Sequence, residues 1–260
     1  MFVSLQSIHS FTFYLFTNTL RMAQHETTNG EGYKPREFTT ILGENTILVR
    51  CDYRLEAQAE WLLETLKEIH AHDPIEEGTT VELGWSLITF VKDDAGRLVA
   101  CEPDFSEEPF ENVIADVTMT LHIVAEQGYI ITHTKTEETA QIPRFDDTII
   151  LETGALEAEH IYLERSPREE DEDDEEEGSE TDSGWFIGIV DEDADEDKEI
   201  SEDDFEACYV YELIASRPEL MNVLGLPPGY IVTFVRDEIE TIIDENDNDV
   251  WNIEHKNGVA

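Results

Sequence analysis

The sequence predicts an α+β protein made of two small mixed domains joined by a disordered acidic linker. Three observations carry that expectation. Short runs with strand-like alternation surround two segments of helical periodicity. The hydrophobic content, 40%, is enough for a real core. Nine consecutive acids at residues 169–177 then interrupt the folding pattern, and a chain of 260 residues has room for one large domain or two small ones.

Taken in order, residues 1–35 read as a disordered leader, because residues 23–35 are polar and glycine-containing. "FTTILGENTILVRCDY" supplies two β-rich runs around Gly43-Glu44-Asn45, a hairpin turn. A helix follows, with Leu55, Ala59, Leu62, Leu63, Leu66 and Ile69 at helical spacing and Pro74 just beyond its end. "TTVELGWSLITFVKDDAGRLVACEPDF" reads as a strand, a turn at Asp93-Asp94-Ala95-Gly96 and a second strand. A second helix is expected from a Ser106 cap, with Phe110, Val113, Ile114, Val117, Leu121 and Val124 as its stripe and Gly128 as its terminator. "YIITHTK", "DTIILET" and "EHIYLER" are strand candidates that complete a first domain over residues 36–165.

Residues 166–182 form the acidic linker, and residues 183–251 a second α+β domain, with 252–260 as a tail. In that domain "GWFIGIV" and "YIVTFV" are strands. "FEACYVYELIA" is a short helix burying Tyr209, Val210, Leu213 and Ile214. Ser216-Arg217-Pro218-Glu219 combines a capping box with proline in the first turn of another helix, stopped by Gly225 and Pro227.

The charge is the anomaly: 62 acids against 16 bases, a formal net charge of −46. Residues 169–206 hold 22 acids and one base, Lys198, so −21 lies there and −25 on the rest of the chain. A field of that sign repels nucleic acid and anionic membranes, whose binding depends on lysine and arginine, and attracts basic proteins and cations. The acidic run reads as a self-repelling tether, or as a strip that docks into a basic cleft as a polyphosphate mimic.

Cys51, Cys101 and Cys208 are sparse and odd in number, as suits free thiols in a reducing compartment. The opening apolar stretch has no lysine or arginine before it, which a secretion signal requires, and is too short and polar to span a bilayer. Arg21 is followed by Met22 and a polar leader, so residues 1–21 read as an extension upstream of the natural start, and the protein as cytoplasmic.

Candidate chemistry is thin. Asp191, Asp193, Asp195, Asp197 and Glu202 fall at calcium-loop spacing, but Glu196 stands where the sharp turn needs glycine and Lys198 where an apolar residue belongs. His70 and His72 are two apart at a helix end, so they do not share a helical face, and no cysteine pair accompanies them. His122 falls beside an apolar stripe, where a satisfied core histidine is the default. Cys101 and Cys208 lack a basic neighbour that would lower a thiol pKa, and read as buried small hydrophobes. No phosphate loop or dinucleotide fingerprint is present. The expectation is a non-catalytic protein without metal or cofactor. Trp61 stands about 150° from the centre of its helix's apolar stripe, and is either covered within its own domain or a partner contact.

One stretch carries a family likeness. Asp182-Ser183-Gly184-Trp185-Phe186, Tyr211-Glu212-Leu213-Ile214, Pro218 with Leu220 and Leu224, Pro228-Gly229, and Phe234-Val235-Arg236 stand in the order of a known pattern. Over residues 182–237 the chain resembles the immunity protein 33 family, a small α+β domain of bacterial polymorphic-toxin systems. In the family pattern the glycine after the first strand leads directly into the acids; here Ile189 and Val190 separate Gly188 from Asp191 and Glu192. The resemblance implies an immunity protein that neutralises a cognate toxin by direct binding. Trp185, Phe186, Asp191 and Glu192 are then candidate contacts, with Trp61 added from helix geometry. The expected partner is a basic protein toxin, since acidic inhibitors are steered to basic partners. The other reading is an acidic structural or cation-buffering cytoplasmic protein with no toxin partner.

Overall fold

The computed structural model describes residues 2–3 (backbone only), 32–166, 182–190, 201 and 204–252. Two compact units divide the chain, Met1–Thr132 and His133–Ala260, and both are mixed α+β.

In the N-terminal unit the expected hairpin joins β2 (Pro35–Leu42) to β3 (Asn45–Asp52), turning at Gly43 with φ 59°. β2 starts at Pro35, and the backbone of β1 (Phe2–Val3) pairs in parallel with β4 (Thr80–Leu83), so parts of the expected leader lie in the sheet. Helix α1 (Glu56–His72) buries Ala59, Leu62, Leu63, Leu66 and Ile69, the stripe its periodicity requires. The run expected as one strand is instead folded over at Gly84, φ 60°, giving β4 and β5 (Ser86–Lys92) with Trp85 wholly buried at the turn. The Asp93 carboxylate accepts from the amides of Ala95 and Arg97 and closes the next turn, into β6 (Leu98–Pro103).

The second helix starts later and runs further than its sequence signals suggest. Phe110, Val113 and Ile114 are exposed, and β7 (Val113–Ile114) pairs with β6. Helix α2 (Thr118–Thr134) begins where acceptors meet its free amides. Asp116 takes the Thr118 N–H, and the buried Glu102 carboxylate takes those of Met119 and Thr120. The helix passes through Gly128 and stops at Lys135, which adopts the left-handed conformation at φ 60°. "YIITHTK", expected as a strand, is its last six residues and the residue beyond. Leu121, Ile123, Ala125, Ile130 and Ile131 are all buried and point to several sides of the helix, which erases the amphipathic signal. The order of this sheet among the described residues is β1-β4-β5-β6-β3-β2, with β7 on β6.

The C-terminal unit corrects the boundary expected at the acidic run. β8 (Thr148–Glu152) and β9 (His160–Arg165), assigned by sequence to the first domain, flank β10 (Asp182–Ile189) in one sheet. β10 runs parallel to β8 and antiparallel to β9. An acidic composition marks a solvated connection, and such a connection can join neighbouring strands of one sheet as readily as two domains. The run itself, within residues 167–181, lies outside the described residues.

The sheet is completed in the order β11-β8-β10-β9-β12-β13. β11 (Phe205–Tyr209) replaces the first half of an expected helix, because these residues pair along the edge of β8. Glu212 then caps the Tyr209 amide, and the chain turns through Val210–Glu212 into a one-turn helix, Leu213–Ser216. Pro218 does open the next helix, a 3-10 segment Pro218–Val223, but Ser216 bonds back to the Glu212 carbonyl instead of capping it. β12 (Ile231–Val235) and β13 (Glu238–Ile243) form a bulged antiparallel pair.

Candidate functional site

The motif Asp182-Ser183-Gly184-Trp185 builds a bulge at the start of β10. The Asp182 carboxylate accepts from the Gly184 amide at 2.8 Å, and the Ser183 hydroxyl from the Trp185 amide at 3.1 Å. Gly184 holds φ +76°, and a Cβ there would lie 2.6 Å from the Ser166 carbonyl oxygen. The register with β8 shifts between Asp182 and Phe186. That local geometry sets which of two adjacent aromatics faces the core.

Trp185 is the inward one, which corrects its expected place on a partner surface: it is 1% exposed. Its indole N–H donates to the Leu224 carbonyl at 3.0 Å, and the Arg165 guanidinium lies 5.4 Å from its ring centroid. Arg165 is itself buried and donates to the carbonyls of Gln141, Leu224, Leu226 and Ser183. Cross-strand partners on β9 and β10, the two residues tie four stretches of chain together. This is architecture, not recognition.

Phe186 points the other way, onto the outer face of the sheet. Strand registry sets Ile150, Phe186, Glu164 and Ile231 in one row across β8, β10, β9 and β12. Tyr162 stands in the next row opposite Gly188, and its ring fills the space a Cβ at 188 would need. Ring centroids of Tyr162 and Phe186 are 5.9 Å apart, as are those of Phe186 and Phe205. Ile150, Phe205 and Ile231 are 39%, 37% and 36% exposed, and Phe186 and Tyr162 are half-buried between them.

The electrostatics of this face are one-sided. Burial, and after it the charges of Glu164 and Glu152, push the Tyr162 hydroxyl pKa above its ordinary value. Glu152 also accepts from the Ile189 amide at 3.0 Å. Among the residues of these six strands Arg165 is the one lysine or arginine, and it points into the core. His160 meets Glu240 at 3.2 Å. The face therefore offers aromatic rings and carboxylates, with no arginine or lysine side chain of its own strands to neutralise them.

The remaining candidates fall elsewhere. Asp191 and Glu192 lie outside the described residues, as do Asp193, Asp195, Asp197 and Glu202 of the calcium-like spacing. Trp61 is half-buried against the core of the N-terminal unit, and Gln58 and Thr65, on the same side of α1, are buried too. Trp61 is thus packed within its own unit, which removes the geometric reason for making it a partner contact. His70 accepts the Ile75 amide on Nδ1, and His122 is exposed where a core histidine is expected. Burial pushes the Cys51 and Cys208 thiols up to about 12 and Cys101 up to about 11, far from nucleophilic use at neutral pH. Among the described residues no group of three or more His, Cys, Asp or Glu could hold a metal ion, and no helix is long and apolar enough to cross a membrane.

Sequence reasoning missed Tyr162, Glu164, Ile150 and Phe205 as companions of Phe186. The alternation in "EHIYLER" and the glycine at 188 were the available signals, but nothing local says that these strands are neighbours.

No curated protein and no solved structure matches the chain. The family model of the Imm33-like domain matches residues 126–252. That span takes in β8 and β9 as well as β10 to β13, reaching well upstream of the stretch that carries the sequence resemblance. Residues 126–252, which contain the whole six-stranded sheet, are thus similar to the Imm33-like domain.

Proposed function

We propose that the protein is an immunity protein that acts without catalysis, inside the cell that makes the toxin, by binding that toxin directly. The observation that carries this reading is the acidic, partly exposed aromatic face of the Imm33-like sheet around Phe186. A face of that kind is suited to burying a protein surface, and it presents no arrangement of nucleophile and base. The net charge of −46 supports a basic toxin as the partner, since opposite potentials raise the encounter rate. The acids at 169–177 contribute to that steering by charge alone.

The test is co-expression. Toxin genes neighbouring this one are expressed in a sensitive host with and without the full chain. Protection, with a stable complex recovered from the protected cells, is expected. Association should slow as salt is raised, and slow further when residues 169–177 are replaced by a Gly/Ser linker of equal length. Absence of protection against every neighbouring toxin would overturn the reading.

A further inference from the structure

We infer that the outer face of the six-stranded sheet is the docking surface. Its centre takes a cationic side chain, an arginine or lysine of the partner, between the rings of Tyr162 and Phe186 and the carboxylates of Glu164 and Glu152. The identity of the partner as a toxin rests on the proposed function; the surface and the chemistry it selects do not.

The apolar part comes first. A sheet needs one buried face, and here the inner one, with Trp185, Leu163 and Phe234, is fully used. The outer face nevertheless carries a continuous aromatic and aliphatic row, Ile150 to Phe186 with Tyr162 and Phe205 beside it, at a third or more exposure for Ile150 and Phe205. Solvated sheet faces are normally polar, and contiguous apolar patches on them mark interaction sites.

Charge then selects the occupant. On the N-terminal sheet Glu37 is met by Arg50 at 2.7 Å and by Arg97 at 3.8 Å. Glu164 stands in the middle of the apolar row with no lysine or arginine on any strand of its sheet to meet it. Glu152 stands cross-strand from Phe205, and its carboxylate accepts from the Ile189 amide at 3.0 Å beside the same row. Ring faces carry negative quadrupole potential, so two aromatics flanked by two carboxylates bind a guanidinium or ammonium group by cation–π attraction and charge-assisted hydrogen bonds together. A second copy of this chain is disfavoured, because docking like faces would bring carboxylate against carboxylate. An anionic partner is disfavoured for the same reason.

The probe is an acetylated hexa-arginine amide, titrated into the full chain with residues 169–177 replaced by a Gly/Ser linker, so that the acidic run does not dominate. Calorimetry and aromatic NMR are read at physiological ionic strength, where charges more than about 8 Å apart are screened. Tyr162 and Phe186 resonances should shift. Glu164→Gln and Phe186→Leu should each weaken binding about tenfold without changing the melting temperature. Binding that neither variant moves, a hexa-glutamine peptide bound as tightly, or self-association of the full chain that Phe186→Leu abolishes, would each overturn the inference. The two proposals fail separately. Variants that still protect cells as well as the parent would sink the docking face and leave the immunity reading standing. Peptide binding at the face with no protection from any toxin would do the reverse.

Discussion

The ring of Tyr162 on β9 occupies the space that a side chain at Gly188, its cross-strand partner on β10, would need. Glycine at 188 is what lets the aromatic pack down onto the sheet and reach Phe186. Gly188→Ala should therefore displace Tyr162 and cost about 1–3 kcal/mol, the usual penalty of overpacking. Adding Tyr162→Ala should recover part of that loss, giving a non-additive double-mutant cycle in urea unfolding. Additive losses would show that the two residues do not compete for space.

Gly184 is required for a different reason. It combines φ +76° with a carbonyl oxygen 2.6 Å from any added Cβ. Gly184→Ala should destabilise the C-terminal unit by on the order of 3 kcal/mol, backbone strain and clash together. Gly154→Ala is the control: its φ is +85° but nothing lies within 4 Å, so only conformational strain of about 1–2 kcal/mol applies. Equal losses at the two sites, measured by thermal unfolding, would remove the steric part of this account.

Arg165 holds four carbonyls, from three separate stretches of chain, beside Trp185. A lysine has one point charge and no planar fork, so Arg165→Lys should leave buried carbonyls without donors and cost more than about 2 kcal/mol. The near-ultraviolet circular dichroism of Trp185 should weaken with it. A variant with parental stability and spectrum would show that water or neighbouring groups replace the guanidinium readily.

Glu102 gives the N-terminal unit a pH dependence whose sign follows from its burial. Only 2% exposed, its carboxyl is pushed by desolvation from 4.5 up to about 7, against the lowering effect of the Thr120 and Met119 amides. A folded-state pKa above the ordinary value means that this group's contribution is complete below about pH 4.5 and is lost as pH rises through about 7. Between pH 5 and pH 8 the unit should lose on the order of 1–3 kcal/mol from this residue alone. Glu102→Gln should flatten that slope in chemical denaturation across the same range. An unchanged slope would place the pH dependence on other carboxylates.

What the sequence by itself determined was what depends on neighbours along the chain. The heptad-like spacing of Leu55 to Ile69 specifies α1, Gly43 specifies the first hairpin, and the order Asp-Ser-Gly-Trp through Phe-Val-Arg carries the likeness to the Imm33-like domain. The acid excess sets the sign of the field without any structure. What only the tertiary structure decided was non-local. β8 and β9 have ordinary strand signals, but pairing with β10 across the acidic run is set by contacts far apart in sequence, which local periodicity does not encode. The same holds for Trp185 and Phe186. Both are aromatic, and strand alternation says that they face opposite ways without saying which way. The bulge at Gly184 and the buried Arg165 decide it, turning Trp185 into the core and leaving Phe186 on the open face.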